Sequence, residues 1–402
     1  MTRSDFVLTY ALKAQTPMLH FQAQQPGATL RATEVKPKLD KFILQRLGKE
    51  NIPKDWFLPD TDALNYKLRF RADGEGQVTE PHKMFFGNSG KHSGQPDYTW
   101  ALQGDCTMTL LCFIPALRDT IDQLIVPFFI CINFGRMQNK GFGGFTVANR
   151  SCTKAEIGKQ LCKSTGAAAC YAFAADRYTD RTFDAIQLLY TVMKAGFNRT
   201  NHASARPEQY HRSYLFEFFH SLQIGNEKAA MKKAGVSPAV QHPQNNRVTS
   251  EQDQDAYHYV RALLGIADHI EYITGFEWRA NRQGREAFFP LKEKETVAIA
   301  CPDVARFASP IFFKVIDGTV YIAANRVDPE ILGKPFTFTN KTTGERITLT
   351  VPSQFDIDGF MAWFVERYNR DVRDISRDAR NTYSIQKPIT AVYTQQGGNA
   401  NV

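Results

Sequence analysis

A glycine-rich stretch with two cations is the part of the sequence best suited to bind a ligand. Residues 133–147 read NFGRMQNKGFGGFTV and place Gly135, Gly141, Gly143 and Gly144 beside Arg136 and Lys140. Glycine permits positive φ angles and lets a backbone approach a ligand closely. Successive exposed N–H groups in such a turn can bind an anion. The stretch therefore predicts a loop that holds the backbone of a polyanion.

The same glycines have a simpler interpretation. A glycine-rich turn between two strands is more often a tight hairpin than a ligand site. The stretch also lacks the Gly-Lys-Ser/Thr triplet of a P-loop, and no helix-opening pattern follows it as in a dinucleotide site. The combination of four glycines with Arg136, Lys140 and Phe142 is what favours a binding loop.

Composition limits the class of protein. The chain has 402 residues, a formal net charge of +8 and a pI near 9.0, a mild basic excess that indicates a nucleic acid or another polyanion as partner. Its seven cysteines form no CxxC pair and no zinc spacing, so we expect no metal or other cofactor and a reducing, cytoplasmic setting. We expect no signal peptide and no membrane span, because no apolar run approaches ~20 residues.

The elements around the loop predict a ferredoxin-like unit over residues 1–150. The pattern gives strands at 6–14, 66–72 and 106–114, a helix that begins near Thr33, a short helix at 115–123, and a buried strand at 124–132 (LIVPFFICI) that leads into the loop. The order is close to βαββαβ, the pattern of a ferredoxin-like fold. The strand at 124–132 would place the loop directly after a strand of the sheet.

The rest of the chain predicts two further segments. Residues 151–240 are expected to form a helical insertion and linker, with helical patterns at 167–175, 182–195 and 214–222. Residues 241–402 are expected to form a second α+β ferredoxin-like domain, with a helix at 256–267, a hairpin around Asp317-Gly318, strands within 336–351, a helix at 355–370 and a mobile tail from 384. The predicted fold class is α+β, with two ferredoxin-like (RRM-like) units and a helical insertion between them.

Four short motifs resemble those of the RAMP superfamily of CRISPR-associated proteins, in a type III-like form. The motifs are TPMLHF (16–21) at the end of the first strand, LRATEVKPKL (30–39) at the start of the first helix, GR…KGFGGF (135–145) in the loop, and RFASPI…KV (306–315) late in the chain. Pro37 departs from the pattern, since many relatives have glycine there. The motifs cover short parts of the first 150 residues and one later strand.

The resemblance implies a protein that holds, or makes, a guide RNA. It implies that the loop amides with Arg136 and Lys140 contact phosphates, that Arg31, Lys36 and Lys38 extend this basic track, and that Phe142 or Tyr66 stacks a base. The expected RNA-binding residues are Arg31, Lys36, Lys38, Arg136, Lys140, Gly141, Phe142, Gly143 and Gly144. Core packing of the aromatic rings and a solvated surface for the lysines are the alternative interpretations.

Two histidines are candidates for RNA cleavage without a metal. The reaction needs a base for the 2′-OH proton and a donor for the leaving 5′-oxygen, and imidazole serves both roles near neutral pH. His20 and His211 are the candidates, with Lys36 or Arg212 to stabilise the phosphorane. A lone histidine is, however, more often structural or simply exposed. Target-cleaving members of the family carry an aspartate on the loop after the first strand, and residues 22–29 contain none.

Three hypotheses follow. The protein is a non-catalytic subunit of an effector ribonucleoprotein in antiviral defence, where it contacts crRNA and other CRISPR-associated subunits. Alternatively, it is a metal-independent endoribonuclease that processes precursor crRNA. In the third hypothesis it is a structural protein whose glycine-rich turn is only a hairpin.

Overall fold

The computed structural model describes residues 6–20, 22–79, 100–200, 207–238, 256–274, 276–280, 284, 286–290, 293–304, 307–378 and 388–395. This part of the chain is mixed α/β, with seven α-helices and several mainly antiparallel sheets. The helices are α1 (Ala32–Leu47), α2 (Pro115–Cys131), α3 (Lys154–Thr165), α4 (Thr179–Lys194), α5 (Tyr214–Ser221), α6 (Glu227–Lys233) and α7 (Ile357–Asp378).

The strands fall into seven sheets. Up to residue 200 they are β1 (Val7–Ala14), β2 (Met18–Leu19), β3 (Lys67–Ala72), β4 (Gln77–Thr79), β5 (Ala101–Gln103), β6 (Cys106–Leu111), β7 (Phe145–Val147), β8 (Ala169–Ala174) and β9 (Phe197–Thr200). After it come β10 (Pro207–His211), β11 (Ile224–Asn226), β12 (Ala256–His258), β13 (His269–Ile273), β14 (Phe276–Ala280), β15 (Glu286–Pro290), β16 (Lys294–Ala300), β17 (Ile311–Ile316), β18 (Thr319–Ala324), β19 (Pro335–Asn340), β20 (Arg346–Thr350) and β21 (Thr390–Thr394).

The first sheet has the order β3-β6-β1-β7, and all three pairings are antiparallel. Its elements follow one another as β1, α1, β3, β6, α2 and β7, with the short strands β2, β4 and β5 in a separate sheet. Strand β6 alternates buried and half-buried residues, as a strand with one covered face should. Helix α1 buries Val35, Leu39, Phe42 and Ile43 at helical spacing.

The second large sheet repeats this order with later elements. It runs β17-β18-β8-β21, again with three antiparallel pairings. The hairpin β17–β18 turns at Asp317 and Gly318, which have φ angles of 43° and 70°, as the sequence predicted. Strand β8 comes from the segment expected to be a helical insertion, so this sheet draws on residues both before and after 240.

Strands β17 and β18 are buried along their whole length. Phe313, Val315 and Ile322 pack in one hydrophobic cluster, and Phe312, Ile316 and Tyr321 pack in the other. We call the first sheet with α1, α2 and α3 the first half of the protein, and the sheet β17-β18-β8-β21 with α4 and α7 the second half. One face of the hairpin belongs to the core of the second half, and the other face belongs to the core that α2 and α3 share with the first sheet. A sheet covered on both faces explains the continuous apolar sequence of this hairpin.

The remaining strands form a third four-stranded sheet and several pairs. The sheet β13-β16-β19-β20 is antiparallel, β9 pairs with β10, β14 pairs with β15, and β11 and β12 form a parallel pair. The predicted strands within 336–351 are confirmed as β19 and β20, and the predicted helix at 355–370 is confirmed as α7. The predicted tail contains an ordered strand, because Thr390–Thr394 forms β21 at the edge of the second large sheet.

Three element predictions are wrong. Residues 124–132 lie mostly in helix α2, residues 167–175 form strand β8, and residues 256–267 contain strand β12 and a short 3₁₀ turn at Val260–Leu264. In α2 the apolar run is buried on several sides, and Pro127 lies within the helix, so neither periodicity nor the proline identified it. In β8 the Ala- and Cys-rich sequence favours a helix locally, but pairing with β18 and β21 overrides that preference.

A buried lysine ties the end of α2 to the second large sheet. Lys314 of β17 is fully buried, and its Nζ donates hydrogen bonds to the carbonyl oxygen of Ile132 (2.8 Å) and to Oδ1 of Asn133 (3.0 Å). Burial lowers the pKa of Lys314 from 10.5 to about 7. The end of α2 is therefore tied to the centre of the β17–β18 hairpin.

We expect Lys314→Met to flatten the pH dependence of stability. The pKa of Lys314 is about 7 in the folded state against 10.5 for an unperturbed lysine, so the unfolded chain binds more protons between these values. The Lys314 contribution to the free energy of unfolding should therefore rise with pH from 7 to about 10 in the wild type. Denaturant unfolding at several pH values measures this rise. The control Lys341→Met removes an exposed lysine and should keep the wild-type slope; an unchanged slope in Lys314→Met would contradict the assignment.

Candidate nucleic-acid interface

The glycine-rich loop (residues 133–144) connects α2 to β7, and protein acceptors already bind its backbone amides. The N–H of Gly143 donates to the carbonyl oxygen of Pro17 (2.8 Å), that of Gly144 donates to Oγ1 of Thr16 (2.8 Å), and that of Gly141 donates to the carbonyl oxygen of Gln138 (3.2 Å). All three glycines are buried. The predicted amide nest for a phosphate is therefore not open in this structure.

Close backbone packing, rather than ligand approach, explains the glycine at position 143. Gly143 has a φ of 70°, and a Cβ atom added there would lie 1.9 Å from the carbonyl oxygen of Phe134. The N–H of Phe134 in turn donates to the carbonyl oxygen of Gly143 at 3.0 Å. The loop thus folds onto itself at a distance that only glycine allows.

The loop also forms the contact between the two halves of the protein. The carbonyl oxygen of Asn139 accepts from the N–H of Phe313 (2.9 Å), and Nδ2 of Asn133 donates to the carbonyl oxygen of Phe313 (3.0 Å). Phe142 is 1% exposed and stacks on Phe183 of α4, with ring centroids 3.9 Å apart and planes 6° from parallel. The ring that was expected to stack a base is therefore part of the core.

Lys36 and Tyr66 also serve the interior of the first half. The Nζ of Lys36 donates to Oδ2 of Asp40 and to the carbonyl oxygen of Leu64, each at 2.8 Å, and lies 4.3 Å from the centroid of the Tyr66 ring. Tyr66 is 4% exposed and donates to Oδ1 of Asp40 (2.6 Å). Burial, followed by the nearby Asp40 carboxylate, raises the pKa of Tyr66. These groups fasten α1 to the strand that follows it.

Lys38 ties α1 to the glycine-rich loop. Its Nζ donates to Oε1 of Glu34 (3.0 Å), the carbonyl oxygen of Asn133 (3.2 Å) and Oε1 of Gln138 (3.1 Å). Glu34 also accepts the N–H of Gly135 at 2.7 Å. About a quarter of the Lys38 side chain remains exposed, with a relative exposure of 27%. Lys38 therefore positions the loop and still contributes positive charge to the surface.

Arg31, Lys38 and Arg136 lie around the same part of the first half, which we name the α1–loop surface. Arg31 precedes α1 and donates to Oε1 of Gln22 (3.1 Å). Arg136 is exposed, and its N–H donates to the carbonyl oxygen of Leu19 in β2 (3.1 Å). The structure thus brings together three of the predicted RNA-binding cations, whereas Lys36 lies against Asp40 and Lys140 lies against α4.

His20 adjoins this surface but is 4% exposed. Its Nδ1 accepts a hydrogen bond from the N–H of Gln22 (3.1 Å), which assigns the ring proton to Nε2 in the neutral form. Burial and then the positive charge of Arg31 lower the pKa of His20, and Glu34 opposes them. His20 is therefore a neutral, buried imidazole at neutral pH. His211 ends strand β10, and its side chain lies outside the part of the chain that the structure describes.

Sequence reasoning missed a second group of cations beside Lys140. The Nζ of Lys140 lies 4.9 Å from the centroid of the Tyr190 ring, and Lys194, one helical turn further along α4, lies 5.8 Å from the same centroid. Arg261, in the 3₁₀ turn, forms an ion pair with the fully buried Glu227. Tyr190 and Lys194 fall within a helix that the sequence did predict, but no sequence pattern connects that helix to the loop.

The described residues hold no cluster of three or more His, Cys, Asp or Glu side chains arranged for a metal. Within the same residues, no helix combines the length and apolar character needed to cross a membrane. All seven cysteines are free thiols.

Two family models match the chain and together account for most of it. The Cmr1 N-terminal domain matches residues 6–197, and the Cmr1 C-terminal domain matches residues 210–387. These matches confirm the resemblance drawn from the sequence, that of a CRISPR-associated protein of the RAMP superfamily. Within that superfamily, the chain belongs to the Cmr1 family.

Solved structures give weaker similarities. The apo crystal structure of Cmr1 from Pyrococcus furiosus is 10% identical with a TM-score of 0.42, covering 97% of this chain and 99% of that one. The cryo-EM structure of the Type III-B Cmr-beta bound to cognate target RNA contains a chain that is 12% identical with a TM-score of 0.27. That match covers 36% of this chain and spans 59% of the other chain's length. A search of curated proteins finds no match.

We expect Gly143→Ala to destabilise the protein more than Gly333→Ala does. Both glycines have a φ of 70°, but an added Cβ meets the backbone of Phe134 at position 143 and nothing within 4 Å at position 333. The shared cost of the left-handed conformation is about 1–2 kcal/mol. The clash at Gly143 should add about 1–3 kcal/mol. Denaturant unfolding of both variants measures the difference, and equal losses would show that the loop is not packed as described.

Proposed function

We propose that the protein is a non-catalytic RNA-binding subunit of a type III-B Cmr effector ribonucleoprotein in antiviral defence. Its partners are crRNA and other subunits of that complex, and it acts in the cytoplasm, where free thiols persist. Membership of the Cmr1 family supports the assembly, and the net charge of +8 supports an RNA partner. The observation that carries the RNA contact is the convergence of Arg31, Lys38 and Arg136 on the α1–loop surface.

The proposal includes two ferredoxin-like units. The succession β1-α1-β3-β6-α2-β7 with the sheet order β3-β6-β1-β7 supports the first unit. The same pattern with β8, α4, β17, β18, α7 and β21 supports the second, which would contain residues 195–310 as an insertion between α4 and β17. Proteins of this kind bind single-stranded RNA on or beside such sheets.

Arginine suits the proposed contact with the RNA backbone. A guanidinium group presents donors in a planar fork that matches two oxygens of a phosphate, and it stays charged at every physiological pH. Arg136 extends from a loop that Lys38 and Glu34 hold against α1, so its position depends on rigid elements. Contacts of this kind give affinity and salt sensitivity, while base contacts would have to supply any sequence preference.

The proposal gives the protein no role in cleavage. A general base must come within hydrogen-bond reach of the 2′-OH, and His20 is 4% exposed with its Nδ1 already accepting from Gln22. The lysine that was expected to stabilise a phosphorane, Lys36, is engaged by Asp40 and Leu64. The buried imidazole instead packs at the base of the α1–loop surface.

We expect the double variant Arg31→Ala/Arg136→Ala to weaken binding of crRNA by the purified protein. Each lost phosphate contact should reduce the slope of log K against log salt by about 0.7, so two contacts should reduce it by about 1.4. Fluorescence anisotropy over a range of salt concentrations gives both the affinity and the slope. The control Lys341→Ala/Arg346→Ala removes the same charge from exposed positions beside the β19–β20 turn and should change binding little. If both variants weaken binding equally, RNA responds to the total charge of the protein and not to the α1–loop surface.

We also expect a repeat-derived precursor RNA to remain intact when it is incubated with the purified protein in EDTA. Gel analysis of end-labelled RNA over several hours makes the measurement. Specific cleavage that disappears in His20→Ala or His211→Ala would instead identify the protein as a processing endoribonuclease. A chain that binds no RNA at low salt, alone or with its co-purifying subunits, would leave only the structural hypothesis.

A further inference from the structure

The cations beside Lys140 lie on the opposite side of the glycine-rich loop from the α1–loop surface contacts. Lys140 belongs to the loop, and its backbone pairs with Phe313 of β17 in a parallel bridge. Its side chain crosses to α4, where its Nζ lies 4.9 Å from the Tyr190 centroid. Lys194 approaches the same ring from the end of α4, at 5.8 Å. Two lysine side chains from separate elements therefore approach one aromatic ring at the junction of the two halves.

No carboxylate of the described residues forms a salt bridge with either ammonium. The Lys140 side chain contacts Tyr190, and burial lowers the pKa of Lys140. Lys194 donates a hydrogen bond to the carbonyl oxygen of Gly265 (2.7 Å). Glu227, whose charge acts on Lys194, is already bound by Arg261. The junction thus brings two basic side chains together in a half-buried position without a paired carboxylate among the described residues.

Contact with an aromatic ring does not account for this arrangement. A cation over an aromatic face gains little, and the 5.8 Å distance of Lys194 is near the limit of such contacts. Burial disfavours the charged form of both lysines. An anion that accepts hydrogen bonds from both side chains would stabilise their charged forms, so the pair is suited to bind one.

The site is closely packed but still reaches solvent. Both lysines and Tyr190 are half-buried, so the site remains in contact with solvent. Gly265 faces the site with a φ of 106°, and a Cβ atom there would lie 3.5 Å from Nζ of Lys194 and 3.4 Å from the amide nitrogen of Ser309. The hydroxyl of Tyr190 donates to the carbonyl oxygen of Leu264, which fixes the ring that both lysines approach. Loop, helix and 3₁₀ turn thus fix the positions of the two charges.

We propose that Lys140 and Lys194 form a phosphate-binding site at the junction of the two halves, and that it takes a phosphodiester group of the bound RNA. A phosphate presents several acceptor oxygens, so both ammonium groups can donate to it at once. The site rests on the RNA-binding function proposed above, because RNA supplies the phosphate. It gives Lys140 a role that the loop amides do not have, and it adds Lys194 and Tyr190 to the interface.

The pKa of Lys194 provides a readout that a structural role would not change. Burial, followed by the charges of Arg261 and Lys140, lowers that pKa to about 7, with Glu227 opposing. A phosphate at the site favours the protonated ammonium, so binding should take up a proton above pH 7. Tyr190, with a pKa raised by burial to about 12, stays protonated over this range. RNA affinity should therefore fall between pH 7 and 8.5.

The test compares Lys140→Met/Lys194→Met with the Arg31→Ala/Arg136→Ala variant of the α1–loop surface and with Lys341→Ala/Arg346→Ala, which removes the same charge from exposed positions. Pyrophosphate binding to the full chain is measured by calorimetry, and RNA binding is measured by anisotropy at several salt concentrations and at pH 7 and 8.5. We expect the lysine variant to lose pyrophosphate binding, to weaken RNA binding about tenfold or more, and to lose the pH dependence. The arginine variant should still bind pyrophosphate, and Lys341→Ala/Arg346→Ala should behave as the wild type.

The outcomes separate this inference from the proposed function. If RNA binding depends on Arg31 and Arg136 but not on the two lysines, the junction site is overturned and the function stands. If the two lysines are needed for pyrophosphate binding but not for RNA binding, the phosphate does not come from RNA. The site then takes a free phosphate-bearing molecule. If no variant binds RNA differently from the wild type, both proposals fail. Should the double methionine variant not fold, as judged by its thermal melt, Lys194→Gln alone carries the same expectations at reduced size.

Discussion

The hydrogen bonds from the Nζ of Lys314 fasten the end of α2 and the start of the glycine-rich loop to the second large sheet. They bind the last carbonyl group before the glycine-rich loop and the first side chain within it, Ile132 and Asn133. Asn133 in turn donates to the backbone of Phe313, the neighbour of Lys314 in β17. The direction in which the loop leaves α2 is therefore fixed, and Gly135 and Gly143 meet the backbone of Leu19 and Phe134 at distances that exclude larger residues.

The packing of the glycine-rich loop determines which cations reach solvent. On one side of the loop, Lys38 and Glu34 hold Gly135 against α1, so that Arg136 emerges next to Arg31. On the other side, the bridge between Lys140 and Phe313 directs the Lys140 side chain toward Tyr190. A single loop thus supplies cations to two surfaces, while its own amides remain bound to protein. The glycines allow the loop to pack closely, and the cationic side chains between them lie on the two surfaces.

The parts of this fold that could be predicted are those in which local pattern and tertiary environment agree. The β17–β18 hairpin combines β-branched and aromatic residues with an Asp-Gly turn, and α7 has apolar residues at helical spacing. Residues 124–132 offer no such agreement, since a fully buried helix and a buried strand have the same continuous apolar sequence. The loop was found from its glycines, but its position after a helix was not predicted, and its hydrogen bond to Phe313 joins residues 180 positions apart.

The candidate site shows the same division. Arg31, Lys38 and Arg136 could be identified because they are close in sequence to the elements that present them. Lys36 has the same residue type and the same helix, yet Asp40 and Tyr66 draw it inward, and no local pattern distinguishes it from Lys38. Lys194 could not be connected to the loop, because the fold alone brings α4 beside residue 140. A basic excess in the composition thus indicates a polyanionic partner, but the assignment of each cation to surface, core or junction requires the carboxylates and rings that face it.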